Sequence, residues 1–173
     1  MEKHLSSTVA SCKGDGADVS ASRRVDCVFL TCFDDNIPFF ASMLGRGGIR
    51  LHRACTVEMA DFLLLATRGT VLVLDTTFLD GSWQDALAMT RRLHPLVTAL
   101  ICADPVDSEF IVSAQERGVF DVIWLPIELE RLRWAIWTAH AATLERRLWL
   151  AEREHEYRSK PHAAAGFYLD AAK

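Results

Sequence analysis

Three aspartates stand close to where apolar runs of the sequence end. Asp75 directly follows the apolar run 71–74, and Asp34 and Asp35 come shortly after the mostly apolar run 25–30. A short continuous run of this kind is typical of a strand that is buried on both faces. Open α/β sheets bind ligands at the carboxyl ends of their strands, so these carboxylates are the first candidates for a functional site.

Cysteines and histidines offer weaker candidates. The sequence has five cysteines, and no two of them form a C-x-x-C pair. They are Cys12, Cys27, Cys32, Cys55 and Cys102. Cys32 and Cys102 are expected near one sheet edge, where a redox or thiol-metal site is conceivable, but buried free cysteine in a reduced compartment is the simpler interpretation. The six histidines show no clustered ligand spacing; His94 is expected to end a helix and His140 to lie on a helix surface. Neither a Gly-rich phosphate loop nor a nucleophile–histidine pair is present.

Composition narrows the class of protein. Half of the 173 residues are hydrophobic, and the formal net charge of −4 argues against a general binder of nucleic acid or of anionic membranes. The sequence contains no apolar stretch near the roughly 18 residues that a membrane span needs, and residues 1–23 are polar without a signal-like apolar run. We therefore expect one cytoplasmic α/β domain with flexible ends.

Strand-like and helix-like segments alternate five times from Arg24 onward. Strands are expected over 25–30, 49–54, 71–74, 96–102 and 119–124, and helices lie between them. The second helix is predicted to start at a Thr56 cap and to have these apolar residues: Met59, Phe62, Leu63, Leu65 and Ala66. Five βα units of this length predict a parallel sheet with helices on both faces.

Two segments resemble the receiver domain of bacterial response regulators. Residues 118–126, Gly-Val-Phe-Asp-Val-Ile-Trp-Leu-Pro, are similar to the family's G-A-x-D-Y-L-x-K-P segment, and residues 71–75 with Asp80-Gly81 are similar to the stretch around its phospho-acceptor. The resemblance covers residues 24–140. It implies a flavodoxin-like (βα)5 fold, doubly wound, with a five-stranded parallel sheet in the order 2-1-3-4-5.

The resemblance also implies a phosphoryl-transfer site, of which this chain keeps little. Asp75 matches the phospho-acceptor, a nucleophile towards phosphorus. Leu125 stands where the family has a lysine that pairs with the phosphoryl group, and Val122 stands at the aromatic switch position. Ala103 falls where a Thr or Ser is expected, with Cys102 taking that place if the loop shifts by one residue.

The acidic pair that holds Mg²⁺ in this family can be placed in two ways. Matching the apolar residues of the first helix without a gap puts Thr31 and Cys32 at the acidic positions, and then Asp75 alone cannot assemble a normal Mg²⁺ site. Shortening that helix by nearly a turn makes Asp34 and Asp35 the pair, so that Asp34, Asp35 and Asp75 would bind the metal. We favour the ungapped register.

The last helix is predicted to be longer than a receiver needs. Its pattern runs from about Glu128 to at least Glu156, so we divide the chain into a leader (1–23), a receiver-like domain (24–140), a helical extension (141–158) and a flexible tail (159–173). Exposed apolar residues on this helix predict an interaction surface: Trp134, Trp137, Leu144, Leu148 and Trp149. A homodimer is the favoured partner; the domain's own surface, another protein and a severed linker to an output domain are the alternatives.

The sequence thus predicts a pseudo-receiver. This is a signalling module of a two-component system that is not an enzyme, needs no cofactor, and acts through protein contacts and dimerisation. One alternative is a working response regulator that a histidine kinase phosphorylates on Asp75 with Mg²⁺. A second alternative is a small-ligand sensor or an enzyme that uses the cleft at the strand carboxyl ends.

Overall fold

The computed structural model describes residues 24–32, 36–76, 78–104 and 108–159. The predicted leader and, apart from Ser159, the predicted tail lie outside these residues. None of the described helices is both long enough and apolar enough to cross a lipid bilayer.

Five strands and five helices alternate along the described chain. They are β1 (Val25–Leu30), α1 (Ile37–Arg46), β2 (Ile49–Ala54), α2 (Val57–Thr67), β3 (Val71–Asp75), α3 (Trp83–Leu93), β4 (Thr98–Ala103), α4 (Ser108–Glu116), β5 (Asp121–Trp124) and α5 (Leu129–Ser159). All strand pairs are parallel, in the order β2-β1-β3-β4-β5. The predicted flavodoxin-like fold with an extended last helix is confirmed, although β4 and β5 each begin two residues later than the sequence predicted.

Two apolar layers cover the sheet. On one face, α2, α3 and α4 pack on alternate strand residues such as Val28, Leu72 and Ile101. On the other face, α1 and α5 pack on Cys27, Val73 and their neighbours. Because successive strand side chains point to opposite faces, this alternation decides which strand-end residues share a face with Asp75.

The second helix packs on the sheet through few of its apolar residues. Thr56 caps α2 as expected, since its side chain accepts a hydrogen bond from the backbone N–H of Met59 at 3.2 Å. The residues buried against the sheet are Ala60 and Leu64, whereas Phe62 and Leu65 point to solvent. Of the apolar residues that the sequence offers in this helix, Met59, Phe62 and Leu65 are thus exposed. Eight of the eleven residues of α2 are apolar, so periodicity could not select the face on which Ala60 and Leu64 meet the sheet.

The last helix has a first half that packs on the sheet and a second half that does not. Its first half buries Leu132, Ala135, Ile136, Ala139 and Thr143. From Leu144 to Ser159 no side chain is buried, so about 24 Å of helix, at 1.5 Å per residue, continues past the packed part. We call residues 144–159 the extension from here on; this segment leaves out the first three residues of the predicted helical extension (141–158), because Thr143 is buried.

Candidate functional site

A cleft of about 470 Å³ opens at the carboxyl edge of the sheet. Its walls come from the end of β1, the start of α1, the end of β3 and the segment that joins β5 to α5. The described lining residues are Phe29, Thr31, Asn36, Ile37, Phe39, Phe40, Asp75, Leu125, Pro126, Ile127 and Leu129. This is the place where the fold positions Asp75.

Thr31 is hydrogen-bonded to Asp75 in the cleft. Leu30 and Leu74 are paired in the β1–β3 ladder, so the residues that follow them in the chain, Thr31 and Asp75, are neighbours. The Thr31 hydroxyl donates to Asp75 Oδ2 at 2.9 Å, and both side chains are buried, with 1% and 6% of their surface exposed. A neutral hydroxyl therefore contacts the carboxylate where the resemblance implies a second acid. Cys32 follows, half-buried.

The predicted Mg²⁺ alternative depends on residues that the structure leaves undescribed. Asp34 and Asp35 both lie outside the described residues. Within the described ranges, no three His, Cys, Asp or Glu side chains are grouped closely enough to hold a metal ion.

Leu125 is part of the cleft wall. Its backbone N–H donates to the carbonyl of Ala103 at 2.9 Å, which continues the β4–β5 pairing by one residue beyond the strand. Its side chain packs on the apolar layer of α1 and α5. An aliphatic side chain here supplies neither charge nor a hydrogen-bond donor to a group bound at Asp75.

The β4 candidates are separated by the pleat of the strand. Cys102 is paired with Asp75 in the β3–β4 ladder and lies in the same layer as α1 and α5. Burial, and then the nearby Asp75 carboxylate, raise the pKa of the Cys102 thiol far above its ordinary value, so the thiol stays protonated. Ala103 and Val122 belong to the layer on the opposite face of the sheet. The structure thus brings Thr31, Cys102 and Leu125 to the face of Asp75, and places Ala103 and Val122 away from it.

The extension carries most of the exposed interaction candidates. Leu148 is 66% exposed, and Leu144, Trp149 and, on the packed half of α5, Trp134 are also exposed. Trp137 is half-buried against the core. The guanidinium of Arg153 lies 4.6 Å from the Trp149 ring centroid, so one face of this indole is covered by a cation rather than by apolar atoms.

A polar network fixes the base of the extension to the amino ends of β3 and β4. The Thr143 hydroxyl donates to the carbonyl of Thr70 at 3.0 Å. Because that uses its only proton, it accepts from Thr98, whose hydroxyl oxygen lies 2.7 Å away. Arg146 donates in turn to the Thr98 hydroxyl. These bonds set the direction in which the extension leaves the domain.

His140 belongs to this base, and the expectation that it lies on the helix surface is wrong. It is half-buried, with Nδ1 2.8 Å from the Thr70 hydroxyl oxygen and the Trp137 ring edge-on to it. Burial, and then the positive charge of Arg147, lower the pKa of His140 below its ordinary value of 6.5. The only signal of this polar network in the sequence is a threonine at or next to the start of each of two strands. Threonine is common in strands whether or not it takes part in such a network.

Comparison with solved structures identifies the fold. Neither a protein-family model nor a curated protein matches the sequence. Among solved structures, a signal receiver domain from Vibrio parahaemolyticus has a TM-score of 0.66 at 14% identity, covering 72% of this chain and 96% of that one. A response regulator receiver domain from Clostridium thermocellum has a TM-score of 0.62 at 16% identity, covering 73% and 98%. The chain has the receiver fold.

One further neighbour is part of a larger protein. NtrX from Brucella abortus, solved with ADP, has a TM-score of 0.64 at 20% identity; the match covers 75% of this chain but 29% of that one. At these identities the receiver fold is what the likeness shows, and function has to be argued from the site.

Proposed function

We propose that this chain is a pseudo-receiver, a signalling module of a bacterial two-component system that acts through protein contacts without obligatory phosphorylation. The observation that carries the proposal is the Thr31–Asp75 hydrogen bond. It occupies one oxygen of the carboxylate with a neutral donor at the position where the family's metal-binding acid is expected.

The electrostatics of the cleft support the same conclusion. Phosphoryl transfer depends on cations that offset the charge on the phosphoryl oxygens. Leu125 supplies no cation, and the Cys102 thiol beside Asp75 is neutral and buried. None of the described lining residues would supply an aspartyl phosphate with the cation that the family's lysine supplies in working receivers.

The proposed contact surface is the extension, and the proposed partner is a second copy of the chain. Leu144 and Leu148 repeat along the extension with the smaller Ala151, and all three are exposed. Protruding apolar helices are marginal in water and gain stability by packing against a partner. A homodimer would bury this stripe, and symmetric dimers are the commonest assembly.

A small-ligand role is the second candidate, favoured by the largely apolar cleft at Asp75. A working regulator, phosphorylated on Asp75 by a histidine kinase with Mg²⁺ at Asp34 and Asp35, is the third.

Acetyl phosphate with Mg²⁺, followed by intact-mass spectrometry, tests the proposal. We expect the mass of the protein to stay unchanged. A gain of one phosphoryl group that disappears in Asp75→Ala would overturn the proposal and favour the working regulator.

A further inference from the structure

Apolar residues recur along the outer side of α5 at alternating steps of three and four. They run from the packed half into the extension: Trp134, Trp137, Ala141, Leu144, Leu148 and Ala151. All of them are exposed except Trp137, which is half-buried. This spacing is that of the contact line of a two-stranded coiled coil. We call these six residues the seam; it is about 26 Å long at 1.5 Å per residue, and half of it precedes the extension.

The seam faces away from the sheet. The residues through which α5 packs on the domain are Leu132, Ala135, Ile136, Ala139 and Thr143, and at 3.6 residues per turn they lie on the opposite side of the helix. A second helix can therefore approach the seam without displacing the contacts of the core. The next positions of the repeat are His155 and Arg158, so the apolar repeat ends at Ala151.

Trp134 is held in place at the first position of the seam. The guanidinium of Arg131 lies 5.3 Å from the centroid of the Trp134 ring, and Arg131 is itself held by Asp121, to which it donates at 2.6 Å. The indole is nevertheless 58% exposed. Large aromatic side chains are the commonest anchors of protein interfaces, and one that its neighbours already hold loses little freedom when a partner covers it.

The charges beside the seam favour one orientation of a second copy. In two parallel helices in register, a residue just before the first row of the contact line faces the residue five positions later on the other helix. Arg147 and Glu152 have this spacing, one on each side of the seam, so two copies would form two such pairs related by symmetry. The other pairs of this spacing along the seam contain no like charges: Arg133 with Thr138, and His140 with Glu145.

An antiparallel arrangement would be less favourable. Each row of flanking residues then faces the same row of the other helix. The registers that keep Leu148 against the seam place Arg147 opposite His140, Arg147 opposite a second Arg147, or Glu145 opposite Glu152. None of these registers joins Arg147 to Glu152, and charges at these positions are what selects the orientation of paired helices.

We propose that a second copy of the chain packs on the seam in the same direction and in register, with Arg147 of each copy against Glu152 of the other. This inference rests on the homodimer of the proposed function. It adds the part of the interface that lies on the packed half of α5, the orientation of the two copies, and the ion pair that selects this orientation.

Charge reversal in the full chain tests the orientation. Sedimentation equilibrium gives the dissociation constant of the dimer for Arg147→Glu, for Glu152→Arg and for an equimolar mixture of the two variants. Each variant alone should dimerise about tenfold more weakly than the wild type, because like charges meet twice in its homodimer. The mixture should regain the affinity of the wild type, because both pairs join opposite charges in the heterodimer. These differences should shrink in about 1 M NaCl, since salt screens exposed charges.

Matched variants separate the seam from the rest of the surface. Arg153→Glu reverses an exposed charge on the same helix but away from the seam and its flanking rows, and its dimer should be as tight as that of the wild type. Trp134→Ala should weaken the dimer about tenfold, as truncation of an interface anchor does. Phe62→Ala removes an aromatic ring that is 66% exposed on α2 and should have no effect. Circular dichroism establishes that each variant keeps its helices.

The orientation is overturned if the wild type dimerises and Arg147→Glu dimerises equally well, or if the mixture stays as weak as its components. Wild-type affinity in Trp134→Ala would overturn the part of the seam on the packed half. A monomeric wild type would overturn the homodimer and the inference together. Phosphorylation of Asp75 by acetyl phosphate would instead overturn the pseudo-receiver, and the charge-reversal result would still decide the orientation.

Discussion

The Thr31 hydroxyl and the Asp75 carboxylate form a buried pair at 2.9 Å. A hydrogen bond to a buried charged group contributes more than one between neutral groups, because the carboxylate has lost most of its contact with water. The pair is therefore a structural element of the cleft.

A double-mutant cycle measures this pair. Thr31→Val and Asp75→Ala, alone and combined, should show a coupling free energy of about 1–3 kcal/mol in urea unfolding, because each substitution removes the same bond. Thr138→Val is the matched control, since the Thr138 hydroxyl donates to the carbonyl of Trp134 on α5 and should not couple to Asp75. Equal coupling for both threonines would show that the bond contributes nothing specific.

His140 predicts a pH dependence of stability. Its pKa is lowered in the folded protein, so the unfolded chain binds a proton more readily as the pH falls below about 6.5, the ordinary value for histidine. Stability is then greatest above this pH and decreases as the pH falls towards the pKa of the folded state. We expect His140→Asn to flatten this part of the curve of unfolding free energy against pH.

His155 provides the control for this measurement. It lies on the same helix but is exposed in the extension, so His155→Asn should keep the wild-type slope. If both variants follow the wild-type curve, His140 is not the group that titrates.

At the scale of elements, α5 differs most from what a small α/β domain requires. Its packed half covers the sheet through Leu132, Ala135, Ile136 and Ala139. The extension continues past the Thr143–Thr70 and Arg146–Thr98 contacts, which hold its base in a fixed direction. A helix held in this way loses less conformational freedom when a partner packs on it, since its base is already ordered.

The extension predicts a dimer that one substitution disrupts. Sedimentation equilibrium should find a dimer at micromolar concentration for the wild type and a monomer for Leu148→Glu, because the charge would be buried in the apolar contact. Leu65→Glu is the matched control: Leu65 is 73% exposed on α2, compared with 66% for Leu148, and its substitution should leave the dimer intact. A monomeric wild type would contradict the proposed homodimer.

The elements were predictable to very different degrees. The five strands could be predicted because buried parallel strands give continuous apolar runs that end in turn residues, and the capping role of Thr56 follows from local chemistry. The face of α2 could not be predicted, because eight of its eleven residues are apolar and they lie on more than one side of the helix. The surroundings of His140 depend on Thr70, seventy residues away in sequence, which periodicity does not reveal.

The whole molecule has two distinct regions at opposite edges of one sheet. The cleft with Asp75 lies at the carboxyl edge, and the extension begins at the amino edge, where Thr70 and Thr98 precede or start their strands. Leu129, the first residue of α5, lines the cleft, so one helix contacts both regions.

The candidate positions around Asp75 could be predicted only by family resemblance, and the choice between Cys102 and Ala103 required the strand register.

The central claim is that Asp75 no longer supports phosphoryl chemistry, and a titration with beryllofluoride and Mg²⁺ tests it most directly. Tryptophan fluorescence is the signal, since Trp124 ends β5 directly before Leu125. The triple variant Thr31→Asp, Cys32→Asp, Leu125→Lys places two acids and a lysine at the positions where the resemblance implies them, and it serves as the positive control. We predict a saturable, Mg²⁺-dependent change for the triple variant and none for the wild type. A saturable change in the wild type that disappears in Asp75→Ala would contradict the claim.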